Sequence, residues 1–450
     1  MIDFFLQKMR DTPAHQALVS FQFSATYQGL LESFEKFSLW IKEKNILPGA
    51  VVSFDGDYSP LSIALFLSLI KNNNIIVPLS LDSKNHFSEF RDIASTEYDI
   101  SLENGQPVLS KTQRIADHSI YQKLREQQHP GLVLFSSGST GKSKAIVQDL
   151  NKLMGKFTTP RKSLRMLIFL QLDHIGGINS LLYSLANNGM IIVSDDRSSA
   201  GVCRAVEAFK AELLPTSPTF LNLLMLSKVY QDYDLSSLKL ITYGTEPMQE
   251  STLKRLTSIL PGTILQQTYG LSEVGILRSK SRSSDSLWLK VGGEEFTTKI
   301  VNDTLWIKSD SAMLGYLNAP NPFDEEGFLD TGDLVEQDGD WIRILGRASE
   351  IINVGGYKVF PAEVESVLLE MENVEDVVVF GQDHMLTGKI VVAKIKLLTP
   401  ETLRELKARM LVFCRSKLQS YKVPGKIIIT DETIYNERFK RMRRIKKELD

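Results

Sequence analysis

Cysteine is scarce in this chain: two occur, Cys203 and Cys414, far apart and without metal-type spacing. That excludes a disulfide framework and a cysteine-based zinc site, and it fits a reducing cytoplasm. Long apolar runs are lacking as well. The longest, Leu61 to Ile70, falls well short of the roughly 20 residues a helix needs to cross a bilayer and reads as a buried helix. The opening MIDFFLQKMRDTPAHQ has no basic head followed by an apolar stretch and a small-residue cleavage site, so no secretory signal is read there. Neither charge dominates: 52 Lys and Arg stand against 54 Asp and Glu, a net charge of −2, so the molecule as a whole is no magnet for nucleic acid or anionic lipid. No H-E-x-x-H segment and no Ser-His-Asp or Cys-His arrangement is recognisable.

What is present is the composition of a soluble globular protein, 43% hydrophobic and 24% charged, in 450 residues that suggest about two to four compact units. From Thr26 to Leu81 a helical pattern, the strand AVVSFDG, an apolar helix and the strand NIIVPLSL alternate. The same rhythm returns between Arg165 and Leu265 in MLIFLQL, GMIIVS, ELLPTS and LKLITYG, separated by helix-like segments. Strands separated by helices predict parallel sheets with right-handed crossovers, here two of them. After Gly275 short alternating runs, SLWLKVGG, TTKIVND and TLWIKSD, predict a small antiparallel β unit. The stretch after Leu345, about 100 residues, reads as a separate α+β domain with a helix over 401–419 and the strand KIIIT.

Phe135 to Lys144 reads FSSGSTGKSK directly after the strand GLVLF. Hydroxyls, glycines and lysine without an acid suit phosphate oxygens, which backbone N–H groups can cradle. A Walker A loop it is not, because Gly138 and Gly141 enclose two residues rather than four. The plain alternative is a surface Ser/Gly turn. Gln267 to Glu273, QTYGLSE, offers an aromatic ring for a base and a hard carboxylate oxygen for Mg²⁺, or is an ordinary loop. Asp330-Thr331-Gly332-Asp333 precedes Gly346-Arg347 by thirteen residues, counted from Asp333, and a carboxylate accepts two hydrogen bonds from paired sugar hydroxyls. Near the end, seven of the ten residues from Arg438 to Lys447 are basic, which reads as a solvated face, an anionic-partner patch or a salt-sensitive nucleic-acid contact.

Taken in order, these segments resemble the acyl-adenylate-forming superfamily, the AMP-dependent synthetases and ligases that include acyl-CoA synthetases, luciferases and peptide-synthetase adenylation domains. The resemblance covers nearly the whole chain. It implies an α/β fold: a large N-terminal domain, 1–347, of two α/β sheet units plus a small distorted β-barrel, and a small mobile α+β C-terminal lid, 348–450. It further implies a phosphate loop of Ser136, Ser137, Gly138, Ser139, Thr140, Gly141 and Lys144, with Ser143 where proline is usual. Gly244, Thr245 and Glu246 match the loop that contacts adenine and the acyl pocket, Tyr269 and Gly270 the adenine neighbour, Ser272 a phosphate contact, and Glu273 the magnesium ligand. Asp333 takes the ribose role with Arg347 beside it. Ser349 stands at the hinge in place of the usual Asp or Lys, where a charged contact is lost. Gly355 and Gly356 either let a pantetheine arm approach the backbone or form a plain β-turn. His174 matches the acyl and thiol entrances or is structural. Lys440 matches the lysine that holds carboxylate and α-phosphate, with Phe439 replacing a glycine.

The activity implied is ATP-dependent activation of a small-molecule carboxylic acid to an acyl-adenylate, with Mg²⁺, followed by transfer to coenzyme A. A stand-alone enzyme loading the phosphopantetheine of an acyl-carrier protein and a degenerate nucleotide- or acyl-binding protein are the alternatives. A cytoplasmic enzyme without a membrane span or nucleic-acid partner is expected, and its oligomeric state is not read. The Leu, Phe and Met residues from Phe220 to Met225 suggest an apolar acyl group or simply core.

Overall fold

The computed structural model describes residues 1–103, 105–137, 143–293 and 295–435. Two seven-stranded sheets dominate it. In the first, the strands Gly131–Ser137, Ile75–Leu79, Val51–Asp55 and Tyr98–Glu103 run parallel, flanked by the antiparallel strands Ser143–Asp149 and Gln106–Lys111. In the second, Ile264–Gln267, Leu240–Tyr243, Leu213–Thr216, Arg165–Ile168, Met190–Val193 and Gln16–Val19 are parallel. The helices Pro60–Lys71 and Ile175–Ala186 share one core with strands of both sheets and are therefore apolar nearly all round, as an element covered on every side must be. Ser59 caps the first of them, accepting from Ser62 N–H at 3.1 Å, and Pro60 supplies the fixed φ suited to a first turn. Further helices cover the outer sheet faces, Phe87–Ala94 and Ser119–Gln127 on the first sheet, Ser199–Phe209, Pro218–Ser227 and Glu250–Ile259 on the second.

The strands Gln16–Val19 and Ser24–Thr26, which the sequence pattern did not signal, complete the edge of the second sheet. Phe220, Leu221, Leu224 and Met225 share one core cluster with Leu214, Ile241 and Leu265 of that sheet, so the apolar pattern here is accounted for by packing. The β unit after Gly275 is a six-stranded antiparallel sheet that includes Leu329–Asp338 and Trp341–Arg347. Beyond it, Pro361–Leu368 and Leu403–Cys414 pack on a sheet built around Val374–His384 and Gly388–Leu397, with a core of its own. The second of these helices is shorter than the sequence pattern suggested, and its Thr402–Glu405 capping box fixes the start. Among the described residues no helix is long and apolar enough to cross a membrane.

Strand order decides where a ligand can bind. In the first sheet the chain moves from Val51–Asp55 to Ile75–Leu79 on one side, then returns to Tyr98–Glu103 on the other. The second sheet repeats this with Arg165–Ile168, Met190–Val193 and Leu213–Thr216. Such switch points open crevices at the carboxyl ends of parallel strands. Here the two crevices meet. Tyr58 Oη donates to Gly177 O at 2.7 Å, Ser80 and Ser83 donate to Asp173 Oδ2 at 2.9 and 3.0 Å, and Gln171 and Arg197 donate to Asp82 Oδ2 at 2.7 and 2.6 Å.

Candidate active site

Asp333 anchors one half of the site. Antiparallel pairing sets it opposite Arg347 on the next strand, and Arg347 Nε lies 3.3 Å from its Oδ1. The other oxygen, Oδ2, accepts from Tyr269 Oη at 2.5 Å, although Tyr269 is 64 residues distant in sequence. Burial raises the Asp333 carboxyl above its ordinary range while Arg347 and Tyr269 oppose the shift. The same contact, added to burial, drives the Tyr269 phenol far upward, so it stays a donor.

Glu273 anchors the other half. Tyr316 Oη donates to its Oε1 at 2.7 Å, and Lys144 Nζ lies 5.0 Å from the centre of the Tyr316 ring. Tyr316 reaches this place because the short strand Gly315–Tyr316 pairs with Ile146 and Val147 in the arm that leaves the phosphate segment. Asn318 fastens the same arm, accepting from Ala145 N–H at 3.0 Å and donating to Ser143 O at 2.8 Å. Gln148 donates to Ser272 O at 2.5 Å. Tyr316, Asn318 and Gln148 were not singled out by the sequence, because a two-residue strand pairing across about 170 residues leaves no local pattern.

The loop after Leu240–Tyr243 carries Gly244, Thr245 and Glu246. A Cβ on Gly244 would stand 2.7 Å from Thr268 Oγ1 and 2.8 Å from its carbonyl, so the two loops touch backbone to backbone and only glycine fits. Thr245 holds φ +73, an uncommon state for a β-branched residue. Thr219 Oγ1 donates to the Glu246 carboxylate at 2.9 Å. Similar crowding governs Gly270, whose Cβ would stand 2.7 Å from Gly275 O.

His174 lies where the two crevices meet. It is the N-cap of Ile175–Ala186, its Nδ1 accepting from Gly176 N–H at 3.0 Å. Nearby Asp57 is raised from 3.8 to about 6, by burial first and then by the charges of Asp82 and Asp173. Gly355 and Gly356, at φ +57 and +89, form the two-residue turn between Ile352–Val354 and Tyr357–Val359, and no described residue other than the chain neighbours stands within 4 Å of a Cβ placed on either. Ser349 lies in the short 3₁₀ turn Ala348–Glu350.

The structure thus gathers Lys144, Ser272, Glu273, Tyr269, Asp333 and Arg347 from three separated sequence blocks. Ser136 and Ser137 end the strand that enters the phosphate segment, and Ser136 pairs with Lys144. Gly138, Ser139, Thr140, Gly141 and Lys440 lie outside the described residues. The donor set fits nucleotide and metal: Glu273 offers a hard oxygen of the kind Mg²⁺ takes, and Asp333 is a buried carboxylate whose partners are both donors, as a sugar hydroxyl would be.

Comparison with known proteins agrees with this geometry. Residues 85–317 match the family model described as AMP-binding enzyme, and residues 363–438 match that of the AMP-binding enzyme C-terminal domain. A long-chain-fatty-acid–CoA ligase of Escherichia coli is 29% identical over 334 residues, 66% of this chain and 58% of the ligase. Acyl-CoA synthetase 7 of Caenorhabditis elegans is 29% identical over 348 residues, 70% of this chain and 64% of its own length. The chain therefore spans less than two thirds of the length of these curated relatives. Among solved structures, an anthranilate CoA ligase in complex with anthranoyl-AMP superposes with a TM-score of 0.79 at 18% identity, covering 96% of this chain and 93% of that one. The o-succinylbenzoate coenzyme A synthetase of Bacillus subtilis, in complex with ATP and magnesium, gives 0.76 at 19%, covering 98% of both. With more than half of its length inside the first family model and the second model following in order, the chain belongs to the AMP-binding enzyme family, the acyl-adenylate-forming superfamily.

Proposed function

We propose that this protein activates a carboxylic acid with ATP and Mg²⁺, forming an acyl-adenylate and releasing pyrophosphate, and then passes the acyl group to the thiol of coenzyme A. One observation carries the reading: Tyr269 and Arg347 converge on the buried carboxylate of Asp333, and Glu273, Tyr316 and Lys144 form a second polar cluster, linked to the first through the segment 269–273. The first suits a ribose, the second a magnesium triphosphate.

A carboxylate does not react directly with a thiol, because oxide is a poor leaving group. In the proposed first step a carboxylate oxygen of the acid attacks the α-phosphorus in line and pyrophosphate departs. Magnesium, when bound, neutralises phosphate charge and orients the leaving group. The chain's part is to hold and to shield charge. Tyr316 fixes one oxygen of Glu273 and leaves the other for a cation, Asp333 and Arg347 orient the sugar, and Lys144 supports the phosphates. Lys440 is assigned to the developing charge between carboxylate and α-phosphate. No protein nucleophile is needed.

The division at 1–347 and 348–450, with rotation of the small domain about Ser349 between the two half-reactions, belongs to the same proposal. So does a cytoplasmic location, which two free and buried cysteines support.

Acid-dependent exchange between ATP and pyrophosphate, screened over fatty, aryl and amino acids with and without coenzyme A, tests the proposal. Exchange with some acid, and thioester formation when the thiol is added, is the expected result. Nucleotide binding without exchange would instead make the chain a binding protein. Lys440→Ala is expected to slow adenylate formation by about 10²–10³ and thioester formation from supplied adenylate far less. Equal losses in both half-reactions would remove Lys440 from its assigned role.

A further inference from the structure

The helix Leu403–Cys414 of the small domain buries Leu406, Met410 and Cys414, positions spaced by four that supply its share of the domain core. Its outer side is not the plain polar face that such a helix ordinarily presents. Arg404, Ala408, Leu411 and Arg415 follow at intervals of four, three and four, so they form one exposed stripe about 16 Å long, with Lys407 and Val412 on its flanks. Arg415 is the C-cap and keeps right-handed helical dihedrals, so it continues the stripe. Leu411 is 49% exposed and Val412 77%. Neither belongs to the core cluster of the domain, and a β-branched valine gains nothing from an exposed helical position.

Charge is one-sided here. From Leu406 to Thr430 the sequence holds Lys407, Arg409, Arg415, Lys417, Lys422 and Lys426 and no aspartate or glutamate. Three of these cations are matched by acids outside that stretch, Arg409 by Glu401, Lys417 by Glu370 and Lys422 by Glu363. On the stripe itself, Arg404, Lys407 and Arg415 make no ion pair among the described residues. The acid beside them, Glu405, is turned back on the start of the helix, where it accepts from Thr402 N–H at 3.1 Å and from Thr402 Oγ1 at 2.6 Å. Two protruding aliphatic side chains thus stand among three uncompensated cations.

We propose that this stripe docks the protein reversibly on an anionic lipid surface: Leu411 and Val412 enter the headgroup boundary while Arg404, Lys407 and Arg415 reach the lipid phosphates around them. The charge pattern decides among occupants. A second copy meeting the same face across a two-fold axis would set cations against cations. Residues 438–447, seven of ten basic, would be repelled likewise. The occupant must therefore be anionic. Nucleic acid offers phosphates but nothing for two aliphatic side chains, whereas a bilayer offers phosphates and hydrocarbon in adjacent layers. An acidic protein would need a groove matched to the aliphatic pair; a bilayer needs none. A face this small gives a weak hold, as reversible attachment of a chain with a net charge of −2 requires.

The test is co-sedimentation of the full chain with vesicles of pure phosphatidylcholine and of a phosphatidylcholine–phosphatidylglycerol mixture. Binding to the mixture is expected to exceed binding to the neutral lipid by about tenfold or more at low salt, each cation being worth about fivefold, and to fall as salt rises. L411S/V412S and, separately, R404Q/K407Q/R415Q should each lose most of that binding with an unchanged thermal midpoint, since every substituted side chain is exposed. A wild type that does not bind the anionic vesicles, or that binds them no better than either variant does, would overturn the proposal. So would loss of binding on removing residues 438–450 while L411S/V412S binds normally, which would assign the lipid contact to the tail. Polyglutamate is the acidic-polypeptide probe. Stronger binding to it than to the vesicles, weakened in R404Q/K407Q/R415Q and untouched in L411S/V412S, would make the stripe a face for an acidic protein and overturn the lipid assignment.

Discussion

At the scale of single residues, the Tyr269–Asp333 contact shows how the site stores a charge it will need. Asp333 is nearly buried, and each of its oxygens faces one donor, Arg347 or Tyr269. Removing the phenol hydroxyl leaves a buried acceptor without its partner, a loss of about 1–3 kcal/mol. Tyr269→Phe is therefore expected to raise KM for ATP by about tenfold, and to move the acid limb of the kcat/KM profile to higher pH, since one of the two groups opposing the raised Asp333 value is gone. An unchanged acid limb would show that another group titrates there. Asp57 gives the opposite sign of linkage from an ordinary ion-paired carboxylate. Its folded value, about 6, exceeds 3.8, so the native state binds the proton more tightly than the unfolded chain does. Its contribution is most favourable below about pH 4 and is lost as pH climbs through 6. Asp57→Asn is expected to stabilise the protein at pH 7–8 by about 1–2 kcal/mol, allowing for partial exposure, and to change little at pH 4. Thermal denaturation at the two pH values measures this, and a variant less stable than the wild type at pH 8 would show that the charged form is compensated.

Among the elements, the helix Ile175–Ala186 separates two explanations for His174. As an N-cap its ring nitrogen satisfies one of the unpaired N–H groups of the first turn, a contribution of about 1 kcal/mol. His174→Asn can keep that bond and His174→Ala cannot. If the imidazole also serves the acyl or thiol entrance, both variants lose activity while only the alanine variant loses stability. If capping is its whole role, the asparagine variant matches the wild type in both. Elements with a long periodic signal, such as Tyr27–Glu43 and the apolar strands and helices of the two sheets, were legible from the sequence because burial on one or both faces imposes the pattern. So were the positions of Glu273, Asp333 and Arg347, which stand in recognisable segments. The strand Gln16–Val19 and the pair Gly315–Tyr316 were not legible, since each is too short to show a period and each is held by a distant partner. Tyr316 escaped notice for the same reason: its meaning lies in what it touches.

The whole molecule raises the question of how one site performs two reactions in turn. The helix Pro361–Leu368 of the small domain meets the helix Glu250–Ile259 of the large one, where Ser251 Oγ and Ser366 Oγ stand 3.5 Å apart. In the proposed division the short turn Ala348–Glu350 joins the two domains, and at its centre Ser349 brings no charge of its own to hold either arrangement. If the small domain must rotate between adenylation and thioester formation, a covalent tie at Ser251 and Ser366 should permit one half-reaction and block the other. The native thiols do not interfere. Cys203 and Cys414 are both buried, and burial pushes them up to about 12 and about 11, so neither supplies much thiolate near neutral pH. In the double variant S251C/S366C the new pair is the reactive one, joined by a disulfide or, where its geometry is strained, by a short bis-thiol linker. The oxidised protein is expected to retain either pyrophosphate exchange or thioester formation from supplied adenylate and to lose the other by at least tenfold, with reduction restoring both. Full activity of the tied protein in both half-reactions would mean that the two domains work as one rigid body, and that Ser349 is a linker and not a hinge.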